Sequence, residues 1–189
     1  MDVTFRKLPG RRYEMTVVRA HGPVLAPRGG PGYDDHLPHD AVHFLVEAEA
    51  GLTGGAFGRI AAGHSNIFWP EDPARRRRQA RRESRRSLTP AQHADMARSE
   101  RLAALCQGQW RVRHGRLVEL PVWLADVTED RALLRRIAAR LDVFADDWHA
   151  LPAGGGLTLT WPHPVARPSA PGGAAGRTRR TGTGARTRR

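Results

Sequence analysis

Leu37-Pro38-His39-Asp40-Ala41-Val42-His43-Phe44-Leu45-Val46-Glu47-Ala48-Glu49 is the run on which the fold turns. Its apolar residues recur at helical spacing, Pro38 stands at the start, where a missing N–H is tolerated, and Gly51 supplies a stop. The run therefore predicts a helix from about Pro38 or His39 to the Gly51 break. With His39 as origin on a helical wheel, His43 lies at about 40°, Glu47 at about 80° and Asp40 at about 100°. Val42, Leu45 and Val46 fill an arc between about −120° and −20°. The polar stripe thus borders the buried face instead of pointing away from it.

Working outward, Val3 to Leu8 and Tyr13 to Arg19 carry β-branched and aromatic residues on either side of Pro9-Gly10-Arg11-Arg12, the pattern of a β-hairpin. A lone hairpin is marginal, and Leu157 to Trp161, alternating apolar residues with Thr, offers it a third strand. The Pro- and Gly-rich stretch from His21 to Pro38 reads as a long loop or arm. A weaker helical segment is expected from Leu52 to Ala62, where Gly54, Gly55 and Gly58 lower intrinsic stability but permit close packing. Thr89, Pro90 and Gln92 spell a capping box, opening a helix through about Gln109 with Met96, Leu102, Leu105 and Cys106 on its apolar side. A short extended segment is expected around Leu117 to Leu120. The last long helix opens near Thr128, with Glu129 and Asp130 at its positive end, and places Leu133, Leu134, Ile137, Leu141, Phe144 and Trp148 on one stripe. The expected fold is α+β, with three or four helices packed on a small antiparallel sheet in one domain over residues 1–164.

Composition narrows the classes. The chain has 189 residues, enough for one core without staples, and its single Cys106 forbids an intrachain disulfide. The start, MDVTFRKLPG, lacks the pattern of a signal peptide, and no run approaches a membrane span, so a cytoplasmic location without a membrane partner is expected. The net charge of +12 is not spread evenly: eight arginines and one glutamate fall within residues 75–86, and seven arginines with no acid within 167–189. The remaining body is close to neutral. Lys7 is the sole lysine beside thirty arginines.

The His39, His43 and Glu47 stripe carries the sharpest chemistry. Imidazoles one turn apart can reach one Zn²⁺ or another divalent ion, with Glu47 as the carboxylate and Asp40 orienting a ligand or bound water. The bland reading of the same residues is local hydrogen bonding. The order His-Asp-x-x-His differs from the metalloprotease His-Glu-x-x-His in an acid one methylene shorter, and no second zincin segment accompanies it. Glu49, at about −80°, falls inside the apolar arc and needs a partner there, for which Arg59 is the candidate, and it is a second possible acid for the site. His64, after Gly63, is a further candidate ligand, and His93 lies in the first turn of the capped helix.

His39, Asp40 and His43 also resemble the zinc motif of a ubiquinone-biosynthesis family, His-Asp-x-x-His followed after eleven residues by Glu; here that position is Gly55. The run from Leu37 to Glu49, with Gly51-Leu52, Gly54-Gly55 and Phe57-Gly58, is similar to a group of small bacterial proteins sharing an LPHDxxHFxVE segment. That resemblance covers about the first third of the chain and implies kinship without a mechanism.

Arg75, Arg76, Arg77, Arg78, Arg81, Arg82, Arg85 and Arg86 form an exposed Arg-rich segment within residues 71–88. By charge it suits phosphates, but with positive residues on every helical face and no interleaved aromatics it offers no base-reading stripe. Three function classes stand open: a divalent-metal-binding protein, a non-specific nucleic-acid-associated protein, and a structural or interaction module with an unidentified protein partner. No phosphate loop, dinucleotide fingerprint or Ser-His-acid order is legible. Residues 165–189, rich in Gly, Thr and Arg, are expected to form a disordered basic tail whose ordering entropy no burial would offset. Deleting residues 167–189 should therefore leave the midpoint of thermal unfolding nearly unchanged; loss of cooperative unfolding in the truncated chain would place the tail inside the fold.

Overall fold

The hairpin forms from β1 (Asp2–Leu8) and β2 (Arg12–Val18), antiparallel from Asp2 opposite Val18 to Leu8 opposite Arg12. Its turn bends through Gly10 and Arg11, both left-handed at φ 72° and 57°. In the computed structural model, which describes residues 1–31, 37–64, 67–116 and 121–164, the late strand β4 (Gly156–Thr160) joins the other edge of β1. A two-residue strand, β3 (Arg28–Gly29), pairs with β2 and gives the order β3-β2-β1-β4, all antiparallel. The arm is expected to be a loop; here it pairs with β2, and the Gly30 N–H donates to the Tyr13 carbonyl at 3.0 Å at a place where a Cβ would sit 1.9 Å from the Tyr13 ring.

Strand alternation sends Val3, Phe5, Tyr13, Met15 and Val17 into the core, while Arg6 and Arg12 remain outside. Phe144 of the last helix and Asp40 of the first meet this inner face at Phe5 and Tyr13, while the third helix buries no residue. The helices are α1 (His39–Ala50), α2 (Ala56–Ala61), α3 (Pro73–Glu83), α4 (Pro90–Arg113) and α5 (Arg131–Ala150), with a 3₁₀ turn at Val122–Asp126. Five helices and a four-stranded antiparallel sheet make an α+β fold.

Local signals account for most boundaries. Gly51 ends α1 in the left-handed conformation at φ 69°. The Thr89 hydroxyl accepts from the Gln92 N–H while the Gln92 side chain accepts from the Thr89 N–H, so the capping box is complete. Asp130 caps α5 by accepting from the N–H groups of Ala132 and Leu133, which starts that helix a few residues later than Thr128. Helix α4 runs on to Arg113, beyond the expected end at Gln109. Between Leu52 and Ala62 only six residues are helical. The segment expected around Leu117 to Leu120 and the tail from residue 165 lie outside the described residues.

Helix α1 is enclosed. Every residue from Ala41 to Ala48 is buried, with α2, α4 and α5 packed against the helix. Phe44 meets Phe57 and Trp161 edge-on, and Phe144 does the same to Phe5, locking α5 to the sheet. The one lysine also serves the fold. The Lys7 ammonium donates to the Trp148 and Leu151 carbonyls at the end of α5, 3.0 Å from each, and lies over the Trp148 ring. Leu133, Ile137, Leu141, Phe144 and Trp148 are buried as their spacing implied, with Leu134 partly covered. Met96, expected in the core, is only half-buried.

Cys106 on α4 is 4% exposed, and burial, with the Glu129 carboxylate nearby, pushes its thiol up to about 12. Thiol reagents at neutral pH should therefore label the native protein far more slowly than the denatured chain. Labelling at the free-thiol rate under native conditions would show that the α4 core position is open.

Candidate functional site

The polar stripe of α1 is interior because α4 crosses it. His43 is 8% exposed and Glu47 fully buried, whereas His39, one turn nearer the N-terminus, reaches solvent. Two residues of α4 one turn apart, Asp95 and Ser99, hold what lies between the helices. Asp95 accepts from the Gly54 N–H at 2.8 Å, and the buried Ser99 hydroxyl donates to Glu47 Oε1 at 2.9 Å.

Glu47 is the hub of this seam. Its Oε1 also accepts from the Ala56 N–H at 2.9 Å, and its Oε2 accepts from Phe57 at 2.8 Å and Gly58 at 3.4 Å. These three donors are the unpaired N–H groups at the start of α2, which has no side-chain cap at its own Gly55. A carboxylate from α1 therefore does the capping from outside. Burial raises the Glu47 pKa; the hydrogen bonds from Ser99, Phe57, Ala56 and Gly58 oppose that rise.

Glycine is required beside it. A Cβ on Gly55 would fall 2.4 Å from Glu47 Cδ and within 2.7 Å of both carboxylate oxygens. Where the resembling zinc motif carries a glutamate, this chain carries the space filled by the Glu47 carboxyl.

That arrangement corrects the expected ligand set. Glu47 does not face the imidazole pair; it is joined to the far side of His43 through Ser99. With the Ser99 proton directed to Glu47, Ser99 Oγ accepts from His43 Nδ1–H at 3.1 Å, and the lone pair of His43 falls on Nε2. His43 Nε2 faces His39 Nε2 at 3.1 Å, the rings meeting edge-on with centroids 4.6 Å apart. Burial is the main cause lowering the His43 pKa, the adjacent His39 adding to it against the pull of Glu100 and Asp40. The imidazole is thus held neutral, in one tautomer, with its lone pair toward His39.

Of the other expected acids, Asp40 is engaged elsewhere. It accepts from the Tyr13 hydroxyl and lies 3.5 Å from Arg28, so it anchors α1 to the hairpin and to β3. Burial, with the Asp40 charge beside it, raises the Tyr13 pKa. Glu49 has the partner its position demanded, but the partner comes from α5: Arg140 at 2.9 Å and Arg136 at 3.4 Å, in place of Arg59. Glu49 is therefore no alternate acid for the histidines. His64 is also away from them, beside Arg86 and Glu83, and His93 is exposed on α4.

The acid that does approach is Glu100, whose Oε2 is 3.7 Å from His43 Nε2 on a side chain 66% exposed. No sequence signal pointed to it, because it sits 57 positions beyond His43 on a helix whose facing is set only by packing. Ser99 was missed for the same reason. Buried between a carboxylate and an imidazole, with its proton committed to the carboxylate, Ser99 is the link in the order Glu-Ser-His and not a nucleophile. Among the described residues no group of three or more His, Cys, Asp or Glu side chains is gathered in a metal-holding arrangement.

No family model, curated protein or solved structure matches the chain.

Glu47→Ala would leave three N–H groups of α2 and the Ser99 hydroxyl without an acceptor, and should cost more than about 3 kcal/mol of stability. Gly55→Ala, which adds one methyl against the carboxyl, should cost about 1–3 kcal/mol. Chemical denaturation of both variants checks the two values; a Glu47→Ala protein as stable as the parent would contradict the capping role.

Proposed function

We propose that the chain binds a divalent transition-metal ion, zinc among them, through Nε2 of His39 and Nε2 of His43, with the Glu100 carboxylate turning in as the third protein group. One observation carries this reading: the two Nε2 atoms are 3.1 Å apart while the other nitrogen of His43 is fixed by Ser99. Zinc–nitrogen bonds of about 2.0–2.1 Å at a tetrahedral angle place two ligand nitrogens roughly 3.3 Å apart, so little movement separates the observed pair from a ligand edge.

The support behind His43 has the form that metal-ligating histidines use. Its Nδ1–H bonds to an oxygen that is itself tied to a buried carboxylate, which fixes ring orientation and tautomer. Glu47 in this reading acts through Ser99 and not as a ligand. The solvent-facing His39 and Glu100 supply the adjustable side of the shell, leaving room for water or a small ligand.

Titration of the full chain with cobalt(II), followed by its visible spectrum and by competition with zinc, tests the proposal. Near-stoichiometric binding is expected, with binding lost in both His39→Ala and His43→Ala. Ser99→Ala should weaken affinity by roughly 10- to 100-fold while leaving the three ligands in place. Retention of the metal by both histidine variants, or no binding by the parent protein, would defeat the reading.

A further inference from the structure

A second polar site lies on the other side of α2, where Arg59, His64, Arg86 and Gln92 line a small cleft with Ser87 and Leu88. Arg59 is 9% exposed, and its Nε is sealed from solvent without a hydrogen-bond partner among the described residues. With Glu49 taken by Arg136 and Arg140, no carboxylate among the described residues pairs with it. A buried guanidinium without a counter-charge is an expensive arrangement unless something anionic completes it.

The surroundings favour an anion from outside. Arg86 Nη1–H donates to His64 Nδ1 at 2.7 Å, which leaves the imidazole proton on Nε2 as a further donor. Glu83, 3.9 Å from the same His64 nitrogen, is the one acid beside these cations among the described residues. The cleft also abuts Gln92, in the first turn of the 24-residue α4, whose positive end faces the same region. Arg75, Arg78 and Arg82 continue the positive lining along the adjoining face of α3 beside Pro23. At about 20 Å³ the cleft has room for little more than one water molecule, so a nucleobase or a sugar does not enter and an anion sits at its mouth.

We propose that the Arg59–His64–Arg86 cleft is a phosphate-binding site, seating one phosphate group that is either free phosphate or the 5′-phosphate of an oligonucleotide laid along the α3 arginines. Arg59 and Arg86 supply the charge and His64 a neutral donor. The guanidinium fork suits two oxygens of one phosphate, a fit that chloride cannot reproduce. The site shares no residue with the His39–His43 pair.

Thermal unfolding of the full chain in sodium phosphate, against sodium chloride at equal ionic strength, tests the proposal. Phosphate should raise the midpoint saturably, as expected of a ligand bound only by the folded state. In Arg59→Met that rise should vanish, while the midpoint in chloride stays equal to the parent's or higher because a buried unpaired cation is gone. Arg86→Gln should raise the half-saturating phosphate concentration at least tenfold, and Arg77→Gln, on the opposite face of α3, should leave it unchanged. A 5′-phosphorylated oligonucleotide binding more tightly than its 5′-hydroxyl form, with the preference lost in Arg59→Met, assigns the terminal phosphate as the source; equal binding assigns free phosphate. A midpoint rise no greater than chloride gives, or one undiminished in Arg59→Met, overturns the site. Should Arg59→Met fail to fold, an undiminished phosphate response in Arg86→Gln overturns it instead.

Discussion

The buried carboxylate of Glu47 is the interaction on which the helical layer depends. It receives three N–H groups from α2 and the Ser99 hydroxyl from α4, so a single side chain of α1 fixes the positions of two other helices. A short helix of six residues has little cooperative stability of its own. Its first turn is held because the unpaired N–H groups meet a negative charge that has nowhere else to satisfy itself. The cost of burying that charge and the cost of leaving those N–H groups open are cancelled together, which makes the arrangement all-or-none. His43 inherits its orientation from the same carboxylate through Ser99.

Around this hub the remaining charges divide the labour of joining elements. Asp40 binds α1 to the hairpin through Tyr13, Glu49 binds it to α5 through Arg136 and Arg140, and Glu129 ties the start of α5 to Arg98 of α4. Each pair links segments distant in sequence, so these contacts select among packings of helices that hydrophobic stripes alone would orient loosely. Arg59 is buried with no acid paired to it among the described residues, and His39 and His43 bring two ring nitrogens to 3.1 Å.

Much of this was legible from local pattern. The α1 boundaries followed from Pro38 and Gly51, the start of α4 from Thr89 and Gln92, and the strands from alternation in Val3, Phe5, Tyr13, Met15 and Val17. The late strand was legible because Leu157 and Leu159 repeat the same period. The 3.6-residue repeat fixes that His39 and His43 share a face of α1. Which protein groups that face would meet was not legible: the wheel offered Glu47 as a ligand beside His43, and no feature of residues 90–113 indicated that Ser99 and Glu100 would stand opposite.

The sequence by itself determined the α+β class, the hairpin and the late strand, the core stripe of α5 and the pairing of His39 with His43 on one helix, because each rests on interactions within a few residues or on a simple period. Tertiary structure alone decided the partners of the acids on α1: Glu47 with α2 and Ser99, Glu49 with α5 and not Arg59, Asp40 with Tyr13. The physical reason is range. Caps and periodicity are local and written in consecutive residues, whereas a buried charge is satisfied by whichever donor packing delivers to it, and that donor lies anywhere from 9 residues away, as Ala56 does from Glu47, to 91, as Arg140 does from Glu49.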